Sequence, residues 1–536
     1  MSLQFITGNS GNGKTKYLFN RIVKEAKANP RDNYLVIVPE QFTMQTQRQL
    51  VDLSENKAIM NIDVLSFKRL AYRVFDELGI TNLTVLEETG KNLVLRKLAA
   101  QEADKLGVIG RNLNRIGYIS EVKSLLSELV QYNISPEELG RYIASGRLSD
   151  TLSDKLKDVL VLYEAFEKFM QDKYITAEEI LNVLSNVAEE SAILRNSVIA
   201  FDEFTGFTPI QNQLIKKLFV ISKKIYVTLT IDCREDIFKS RGMQELFDMP
   251  KRTVKSLTEM AAFYGIEVEE PIILDKNYRL AENEELSFME QQLFRKRRCS
   301  FKKVPKHIHI DCLRDPKQEL TKIARRINEL VRNENLRYRD IAIVTGDVNI
   351  YAGYVREIFD KYNIPYFIDA TQEILFHPFI EFIRSIPDIA AQNFSADAVF
   401  RFLRCGFSEL LDSEIDVLEN YVLACGVRGK SAWDKKWVRL PKHKAGYDLE
   451  LLNQSREYIM ELLKPVYQVF SDKKSTVKDY VLAIYKLIVL LDIPDKLAKK
   501  EQALLDAGDQ TASKEYGQIY KIVMQLFEKY VAVLGD

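Results

Sequence analysis

The first 78 residues alternate between short apolar runs and longer amphipathic stretches. Apolar runs at 3–7, 34–39 and 61–66 predict β-strands, and the continuous run YLVIVP is typical of a strand buried on both faces of a parallel sheet. Apolar residues recur at helical spacing over Lys14–Ala28 and Phe67–Leu78, which predicts a helix after the first and third strands. The alternation of strands and helices predicts an α/β fold.

The stretch 79–190 has a different pattern, because proline and glycine become sparse and helical periodicity dominates. Strand patterns return at 197–202 (SVIAFD) and 224–231 (KIYVTLTI). We therefore expect one α/β core, formed by 1–78 and 191–290, with a helical domain inserted at 79–190.

A second α/β pattern begins near residue 300. It predicts strands and helices in alternation, with strands at 307–312, 340–344 and 365–368 and helices at 316–333 and 351–362. From about 385 onward the pattern is again mostly helical. We expect the start of a second α/β core at 300–384 and a second inserted helical domain at 385–536.

The composition is that of a globular protein with balanced charge. Hydrophobic residues make up 46% and charged residues 28% of the 536, and Lys plus Arg equals Asp plus Glu at 76 each. Binding to nucleic acid would therefore need a local basic face. No apolar stretch approaches the roughly 20 residues that span a bilayer, and no signal peptide is evident. The five cysteines form no CxxC pair. We expect a soluble cytoplasmic protein with no membrane association.

The sequence GNSGNGKT at 8–15 fits the phosphate-loop pattern G-x-x-x-x-G-K-[ST]. Backbone N–H groups of such a loop surround phosphate oxygens, and the N-terminus of the following helix adds partial positive charge. Lys14 would bind the outer phosphates of ATP and Thr15 would bind Mg²⁺. The residues predicted to hold ATP are Gly8, Ser10, Gly11, Asn12, Gly13, Lys14 and Thr15. The alternative is a vestigial loop.

Two further segments carry residues that would complete an ATP site. The strand pattern at 197–202 ends in Asp202, which could hold Mg²⁺, and Glu203 could orient or deprotonate the attacking water. The alternative for Asp202 is to cap the next turn. The segment LDKNYR ends in Arg279, and helicases of the UvrD/Rep kind have a similar N-Y-R segment whose arginine contacts the γ-phosphate. The alternative for Arg279 is an ordinary surface role. Lys14, Asp202 and Glu203 are the candidate catalytic residues.

Two segments combine aromatic, amide and basic side chains. PEQFT at 39–43 directly follows a predicted parallel strand, at the edge of the sheet where α/β proteins bind ligands. LSFKRLAY occupies 65–72. Such mixtures suit stacking on bases and contact with phosphates, although aromatic residues at helical spacing also occur in cores.

Together these segments resemble the AddB family, the B subunit of bacterial ATP-dependent helicase/deoxyribonucleases. The matching segments follow the family's order and run to about residue 433: GNSGNGKT, LVIVPEQFT, VLSFKRLAYRVF, FDEFTGFTPIQ, LRYRDIAIVTGDVNIYAGYVREIFDKYNIPYFID, LFHPFIEFIRS and LENYVLACGVRGKSAW. The resemblance implies phosphate-loop, RecA-like helicase cores arranged as in UvrD/Rep helicases, with two inserted helical domains. It also implies ATP and Mg²⁺ as cofactors, single- and double-stranded DNA as ligands, and an AddA-type helicase/nuclease subunit as partner.

The resemblance further implies a role in repair of double-strand breaks, in which this subunit scans single-stranded DNA for a Chi-type hotspot. The family's reading surface falls on six positions of this chain: Gln41, Thr43, Phe67, Arg69, Tyr72 and Phe207. Arg69 would contact a base edge or a phosphate, and the aromatic residues would stack on bases. The family's nuclease and its 4Fe-4S cluster belong to a later half. We expect an N-terminal fragment of the family and assign neither to this chain.

Two departures from UvrD/Rep motors indicate that motor function is lost. Thr205 and Gly206 stand where motors have the Gln and Asp of a DEFQD-like segment, and the sequence DCRED at 232–236 lacks the Gly and Gln of the G-D-x-x-Q motif. We therefore expect an ATP-binding, DNA-scanning subunit that does not translocate. The alternatives are an active helicase, which the retained Glu203 favours, and a non-catalytic scaffold, so the sequence leaves open whether this chain is an enzyme.

Overall fold

The chain divides into two compact units, Met1–His309 and Ile310–Asp536, each with hydrophobic cores of its own. The computed structural model describes residues 1–81, 85–108, 110, 117–146, 148–171, 174–295, 299–369, 374–441 and 447–535.

The first unit is built on a parallel β-sheet. The described strands of this unit are β1 (Ser2–Gly8), β2 (Tyr34–Ile37), β3 (Ile62–Leu65), β4 (Val85–Leu86), β5 (Ile175–Thr176), β6 (Val198–Phe201), β7 (Lys224–Thr230), β8 (Glu267–Val268) and β9 (Ile272–Leu274). The main sheet has the order β3-β2-β6-β7-β1-β8, β9 also pairs with β1, and every pairing is parallel. The carboxyl ends of these strands therefore lie along one edge.

Helices cover both faces of this sheet. Those of the first unit are α1 (Lys14–Ala28), α2 (Thr43–Leu53), α3 (Phe67–Leu78), α4 (Glu88–Gln101), α5 (Tyr118–Gln131), α6 (Pro136–Ala144), α7 (Asp150–Met170), α8 (Ile180–Val187), α9 (Pro209–Ile221), α10 (Asp248–Phe263) and α11 (Glu284–Gln292). Single 3₁₀ turns occur at Glu40–Phe42, Ala103–Lys105 and Ala188–Glu190. One apolar cluster joins the sheet to α1 and α2, and a second joins it to α3, α8, α9 and α10.

The strands alternate between these two apolar clusters. In β1, Leu3 and Phe5 face the cluster with α3, α9 and α10, whereas Ile6 faces α1. All three side chains are fully buried. Burial on both faces explains why the strand segments read as nearly continuous apolar runs, because neither face meets water.

The main sheet contains neighbouring strands that are far apart in the sequence. β2 pairs with both β3 and β6, although β3 ends at Leu65 and β6 begins at Val198. Helices α4–α8 occupy the intervening chain, and the predicted helices α1 and α3 have the bounds that the periodicity indicates. The short parallel pair β4–β5 within this stretch was not predicted.

The regular secondary structure that the described residues of the second unit form is all helical. It comprises α12 (Pro316–Asn333), α13 (Val348–Lys361), α14 (Pro378–Ala391), α15 (Ala396–Leu403), α16 (Asp412–Cys425), α17 (Lys430–Asp434), α18 (Leu449–Ser471), α19 (Val477–Leu490), α20 (Ile493–Asp506) and α21 (Gln510–Leu534), with a 3₁₀ turn at Tyr338–Asp340. α12 and α13 share a small core, and α14–α21 share a large one. Among the helices that the structure describes in either unit, every one is too short or too polar to cross a bilayer.

The strands predicted at 307–312, 340–344 and 365–368 are wrong. These segments form no strand ladder with any described residue, whereas the intervening helices form close to the predicted positions. Ile310 and Val344 are each 93% exposed and Phe367 is 89% exposed. A strand needs hydrogen-bonded neighbours as well as an apolar pattern, and the pattern alone cannot supply them.

Candidate functional site

The phosphate-loop sequence forms the turn between β1 and α1. Gly11 and Gly13 have φ angles of 86° and 78°, which lie in the left-handed region that favours glycine. The turn therefore directs the N-terminus of α1 toward a cavity of about 660 Å³. The predicted site residues that line this cavity are Ser10, Gly11, Gly13, Lys14, Thr15, Asp202, Glu203 and Arg279.

The ammonium group of Lys14 lies inside the loop. Its Nζ donates hydrogen bonds to the carbonyl oxygens of Gly8 at 3.1 Å and Asn9 at 3.0 Å. Burial lowers the pKa of Lys14 below its ordinary value, and the negative charges of Glu203 and Asp202 oppose that shift. A partly desolvated ammonium in this position is suited to bind an anion.

Asp202 follows β6 and is almost completely buried, at 1% exposure. Its Oδ1 accepts hydrogen bonds from the hydroxyl groups of Thr228 on β7 and Thr15 on α1, the latter at 3.3 Å. Burial raises the pKa of Asp202, while the bond from Thr228 acts in the opposite direction. Its Oδ2 is buried and has no hydrogen-bond partner within the described part of the chain.

Glu203 has a φ of 63°, an uncommon conformation for a residue with a side chain. This backbone geometry turns the side chain out of the β6 line, and its Oε1 lies 3.4 Å from the hydroxyl of Thr15. Glu203 is exposed within the cavity, whereas the preceding Asp202 is buried. The two carboxylates thus have different surroundings, as a metal-binding group and a water-orienting group would need.

The segment from β9 to Arg279 packs directly on the phosphate loop. The backbone N–H groups of Tyr278 and Arg279 donate to the carbonyl oxygen of Gly11 at 3.0 and 3.3 Å, and Asn277 Nδ2 donates to Ser10 O at 3.0 Å. A Cβ on Gly11 would lie 2.8 Å from Asn277 Oδ1 and 2.9 Å from Arg279 Cβ. The structure therefore brings the predicted Arg279 to the cavity beside the loop and shows why Gly11 must lack a side chain.

The DCRED segment supports the loop from another side. The backbone N–H of Cys233 donates to Asn9 Oδ1 at 2.9 Å, and Asn9 Nδ2 donates to Glu290 at 3.0 Å. Asp232 accepts a hydrogen bond from Arg295 Nε at 2.9 Å. Burial disfavours the charge on Asp232, but hydrogen bonds from Arg234 and Arg295 outweigh that effect and hold its pKa well below the ordinary value.

The residues present fit Mg²⁺ and a nucleoside triphosphate. Mg²⁺ prefers oxygen ligands, and the unpartnered Oδ2 of Asp202 lies beside the hydroxyl of Thr15. The described residues contain no cluster of three or more His, Cys, Asp or Glu side chains arranged to hold a metal. A phosphate-loop Mg²⁺ site does not need such a cluster, because the nucleotide's phosphates supply further oxygen ligands.

The predicted DNA-contacting residues Gln41 and Arg69 lie near each other at the ends of β2 and β3. Glu40 joins the two segments, because its carboxylate accepts from the Ser66 hydroxyl and from Arg69 Nε, the latter at 3.1 Å. Gln41 is exposed, and the Arg69 side chain is 53% exposed. Thr43 is 3% exposed, and its hydroxyl donates to the carbonyl oxygen of Glu40 at 3.0 Å.

The predicted stacking residues differ in accessibility. Phe67 is 8% exposed and packs against Phe201, Phe204 and Phe207 with ring centroids 5.6–6.3 Å apart. Phe207 is half-buried in the same cluster, whereas Tyr72 is 39% exposed. In this conformation Phe67 supports the neighbouring aromatic residues, and Tyr72 has an accessible ring.

Three polar residues of the site were missed by the sequence reasoning: Asn9, Thr228 and Glu290. Asn9 occupies a variable position of the phosphate-loop pattern, so no motif distinguishes it. Thr228 is one of two threonines in an apolar strand, and only the pairing of β6 with β7 places it beside Asp202. Glu290 lies in α11 with no sequence signal that connects it to residue 9.

The parallel sheet, the loop at the end of β1 and the acidic pair at the end of β6 together identify this chain as a parallel α/β protein with a phosphate loop. Residues 5–290 match the family model described as ADDB, N-terminal. This match covers more than half of the chain, and the chain belongs to that family.

Individual relatives support the same assignment. A protein of Lachnoclostridium phytofermentans is 38% identical over 546 residues, and proteins of Clostridium acetobutylicum and Clostridioides difficile are each 32% identical over 548 and 550 residues. All three are named as the B subunit of an ATP-dependent helicase/deoxyribonuclease. The alignments cover 100% of this chain and 47% of each relative, so the chain spans about half the length of the curated relatives it matches. The family resemblance seen in the sequence is confirmed.

The lowered pKa of Lys14 predicts that ATP affinity falls at alkaline pH. The protonated ammonium binds phosphate, so affinity is constant below the pKa of the free site and falls by up to about tenfold per pH unit above it. Because the pKa lies below 10.5, the decline begins earlier than for an ordinary lysine. Calorimetric titration with ATP from neutral to alkaline pH measures this. Lys14→Ala should bind ATP much more weakly, and its affinity should not decline at alkaline pH. If the affinities of wild type and Lys14→Ala decline equally, the decline belongs to a group other than Lys14.

The close packing of Asn277 and Arg279 on the loop predicts a specific effect of Gly11→Ala. The added methyl group would displace the loop, and the loop would lose at least one hydrogen bond to the charged phosphates, worth about 1.5–3 kcal/mol. We therefore expect ATP affinity to fall by about tenfold or more. Gly79→Ala is the matched control, because Gly79 also has positive φ, 69°, but an added Cβ there meets no atom within 4 Å. Both variants should lose stability, and only Gly11→Ala should lose ATP binding. Equal ATP affinities would contradict the inferred packing.

Proposed function

We propose that this chain is the helicase-like, ATP- and DNA-binding part of the B subunit of an ATP-dependent helicase/nuclease that processes double-strand breaks for recombinational repair. The observation that carries the proposal is the convergence of Lys14, Thr15 and Asp202 on one cavity, with Arg279 beside the loop. Family membership and the printed names of the relatives support the assignment to this class of subunit.

The chain's own residues would bind ATP in a defined orientation. Backbone N–H groups of the loop and the ammonium of Lys14 would hold the phosphates, and Thr15 with Asp202 would hold Mg²⁺. Mg²⁺ would neutralise charge on the outer phosphates. Arg279 would add a positive charge from beside the loop, and Glu203 would hold a water molecule at the end of the phosphate chain.

Single-stranded DNA would cross the same edge of the sheet, at the ends of β2 and β3. Arg69 and Gln41 offer charged and amide groups there, and Tyr72 offers an accessible aromatic ring. Thr43, Phe67 and Phe207 would shape this surface from within. We propose that the surface reads a Chi-type sequence, and that an AddA-type subunit is the partner that moves the DNA.

The structure around the lost motor positions supports a role without translocation. Thr205 and Gly206 pack against α10, where Thr253 Oγ1 donates to Thr205 O at 3.0 Å and a Cβ on Gly206 would lie 3.3 Å from Thr253 Oγ1. The side chain of Asp232 is engaged by both Arg234 and Arg295. Both segments are thus held by contacts within the protein at the positions that couple ATP to DNA in motors.

Replacing Arg69 tests the proposed DNA surface. We expect Arg69→Ala to weaken binding of single-stranded DNA by about 1–3 kcal/mol, or 5- to 150-fold. Arg73→Ala is the control, because Arg73 is equally exposed at 53% and also forms an ion pair, but its partner Asp63 lies within β3, behind the sheet edge. Fluorescence anisotropy with a labelled oligonucleotide measures both. If Arg69→Ala binds as well as wild type, DNA lies elsewhere.

ATP turnover distinguishes a scanning subunit from an active motor. Because contacts within the protein hold Thr205 to α10 and Asp232 to two arginines, we expect single-stranded DNA not to stimulate ATP hydrolysis by this chain. Any basal hydrolysis should be abolished by Glu203→Gln while ATP binding persists, since Glu203 would act on water rather than on phosphate. Strong stimulation by DNA in a coupled ATPase assay would instead establish the active-helicase alternative.

A further inference from the structure

A second concave surface lies on the first unit and shares Thr205 with the cavity beside the phosphate loop. Two adjoining grooves of about 570 and 370 Å³ share four lining residues, Tyr132, Pro209, Asn212 and Ser256, and so form one trough. Helices α9 and α10 both line the trough, and the end of α5 contributes Tyr132 and Asn133. The α10 residues that line it run from Met249 to Phe263, about 21 Å at 1.5 Å per residue.

Large aromatic side chains line this trough and remain exposed. Tyr132 is 62% exposed, Phe263 is 81% exposed and Tyr264 is 40% exposed. The rings of Phe263 and Tyr264 stand edge to face with centroids 5.0 Å apart. Exposed aromatic rings along one groove are the feature by which proteins stack nucleobases.

The polar side chains of the trough are also available to a ligand. Asn133, Gln213, Ser256 and Lys216 make no side-chain hydrogen bond or ion pair with the described residues. Amide groups can bond the edges of unpaired bases, and a free ammonium can contact a phosphate. The other charged residues of the trough are paired within the protein, Arg252 with Asp248 and Glu259 with Lys255.

The trough is continuous with the surface proposed above to bind DNA. Its near end is formed by the turn Thr205, Gly206, Phe207 and Thr208, which follows the acidic pair at the end of β6. Phe207 belongs to the aromatic cluster that contains Phe67, at the start of α3. A strand that passes Arg69 and Phe207 would therefore meet the trough next.

We infer that this trough is a second single-stranded DNA subsite, which binds a few consecutive nucleotides by stacking on Tyr132 and Phe263. Its length of about 21 Å accommodates at most about six nucleotides at 3.4 Å each. The amide groups of Asn133 and Gln213 contact base edges, and Lys216 contacts the backbone. The inference rests on the proposed DNA binding and extends it beyond the six positions of the reading surface.

Photo-crosslinking with this chain tests the subsite directly. Oligonucleotides of increasing length that carry a photoreactive thymidine analogue at successive positions are bound and irradiated, and the modified peptides are identified by mass spectrometry. We expect crosslinks to peptides with Tyr132 or Phe263 only from oligonucleotides long enough to extend past the Arg69 surface. Tyr132→Ala and Phe263→Ala should each weaken binding of the long oligonucleotides about 5- to 100-fold and leave short ones unaffected.

Matched controls isolate the trough. Tyr142 is 53% exposed in α6 and does not line the trough, so Tyr142→Ala should not change DNA affinity. Lys216→Glu should reduce the dependence of affinity on salt, whereas Lys217→Glu, the adjacent residue paired with Glu189 at 2.7 Å, should not. Circular dichroism of each variant verifies that it is folded.

The outcomes separate this inference from the proposed function. If Arg69→Ala loses DNA affinity but no trough peptide is crosslinked and the trough variants bind long oligonucleotides normally, the subsite is wrong and the DNA surface stands. If the chain binds no DNA of any length, the proposed DNA surface and the inferred subsite are both wrong. If Tyr132→Ala and Phe263→Ala abolish self-association in analytical ultracentrifugation and leave DNA binding intact, the trough is a protein interface and the inference is wrong.

Discussion

The carboxylate of Asp202 is buried where three parallel strands end side by side, and a buried charge must find polar partners. Thr228 from β7 and Thr15 from α1 supply hydroxyl groups to one of its oxygen atoms. These contacts require β6, β7 and β1 to be adjacent and in register, because each partner comes from a different strand or from the helix that follows it. The geometry of the whole cavity therefore depends on the sheet order.

The phosphate loop itself is held from two sides by segments distant in sequence. The residues that follow β9 bond to the carbonyl groups of Ser10 and Gly11, and the segment after β7 bonds to Asn9. The aspartate of the second segment, Asp232, is paired with two arginines, Arg234 and Arg295. A segment that bonds to the loop through Asn9 has restricted movement, which is consistent with the proposal of a subunit that does not translocate.

The sequence was sufficient for those parts of the structure that depend on local pattern. α1 and α3 have the predicted bounds, and the phosphate loop and Asp202 lie at the ends of predicted strands, because apolar periodicity and glycine placement are read residue by residue. The accessibility of Phe67 could not be read in this way. It depends on Phe201, Phe204 and Phe207, which lie more than 130 residues away and are brought together only by folding. The three mistaken strands after residue 306 have the same cause, since pairing partners are not encoded in the segment itself.

The insertion of helices α4–α8 between α3 and β6 has a consequence for the order in which the chain can fold. Strand β1 is the first to be synthesised, yet its neighbours are β7, which pairs Ile6 with Thr228, and β9, which pairs Ile6 with Ile272. At about 5–20 residues per second, roughly 13–50 s of synthesis separate β1 from its last partner. An apolar strand that lacks its partners for that time is open to association with other chains.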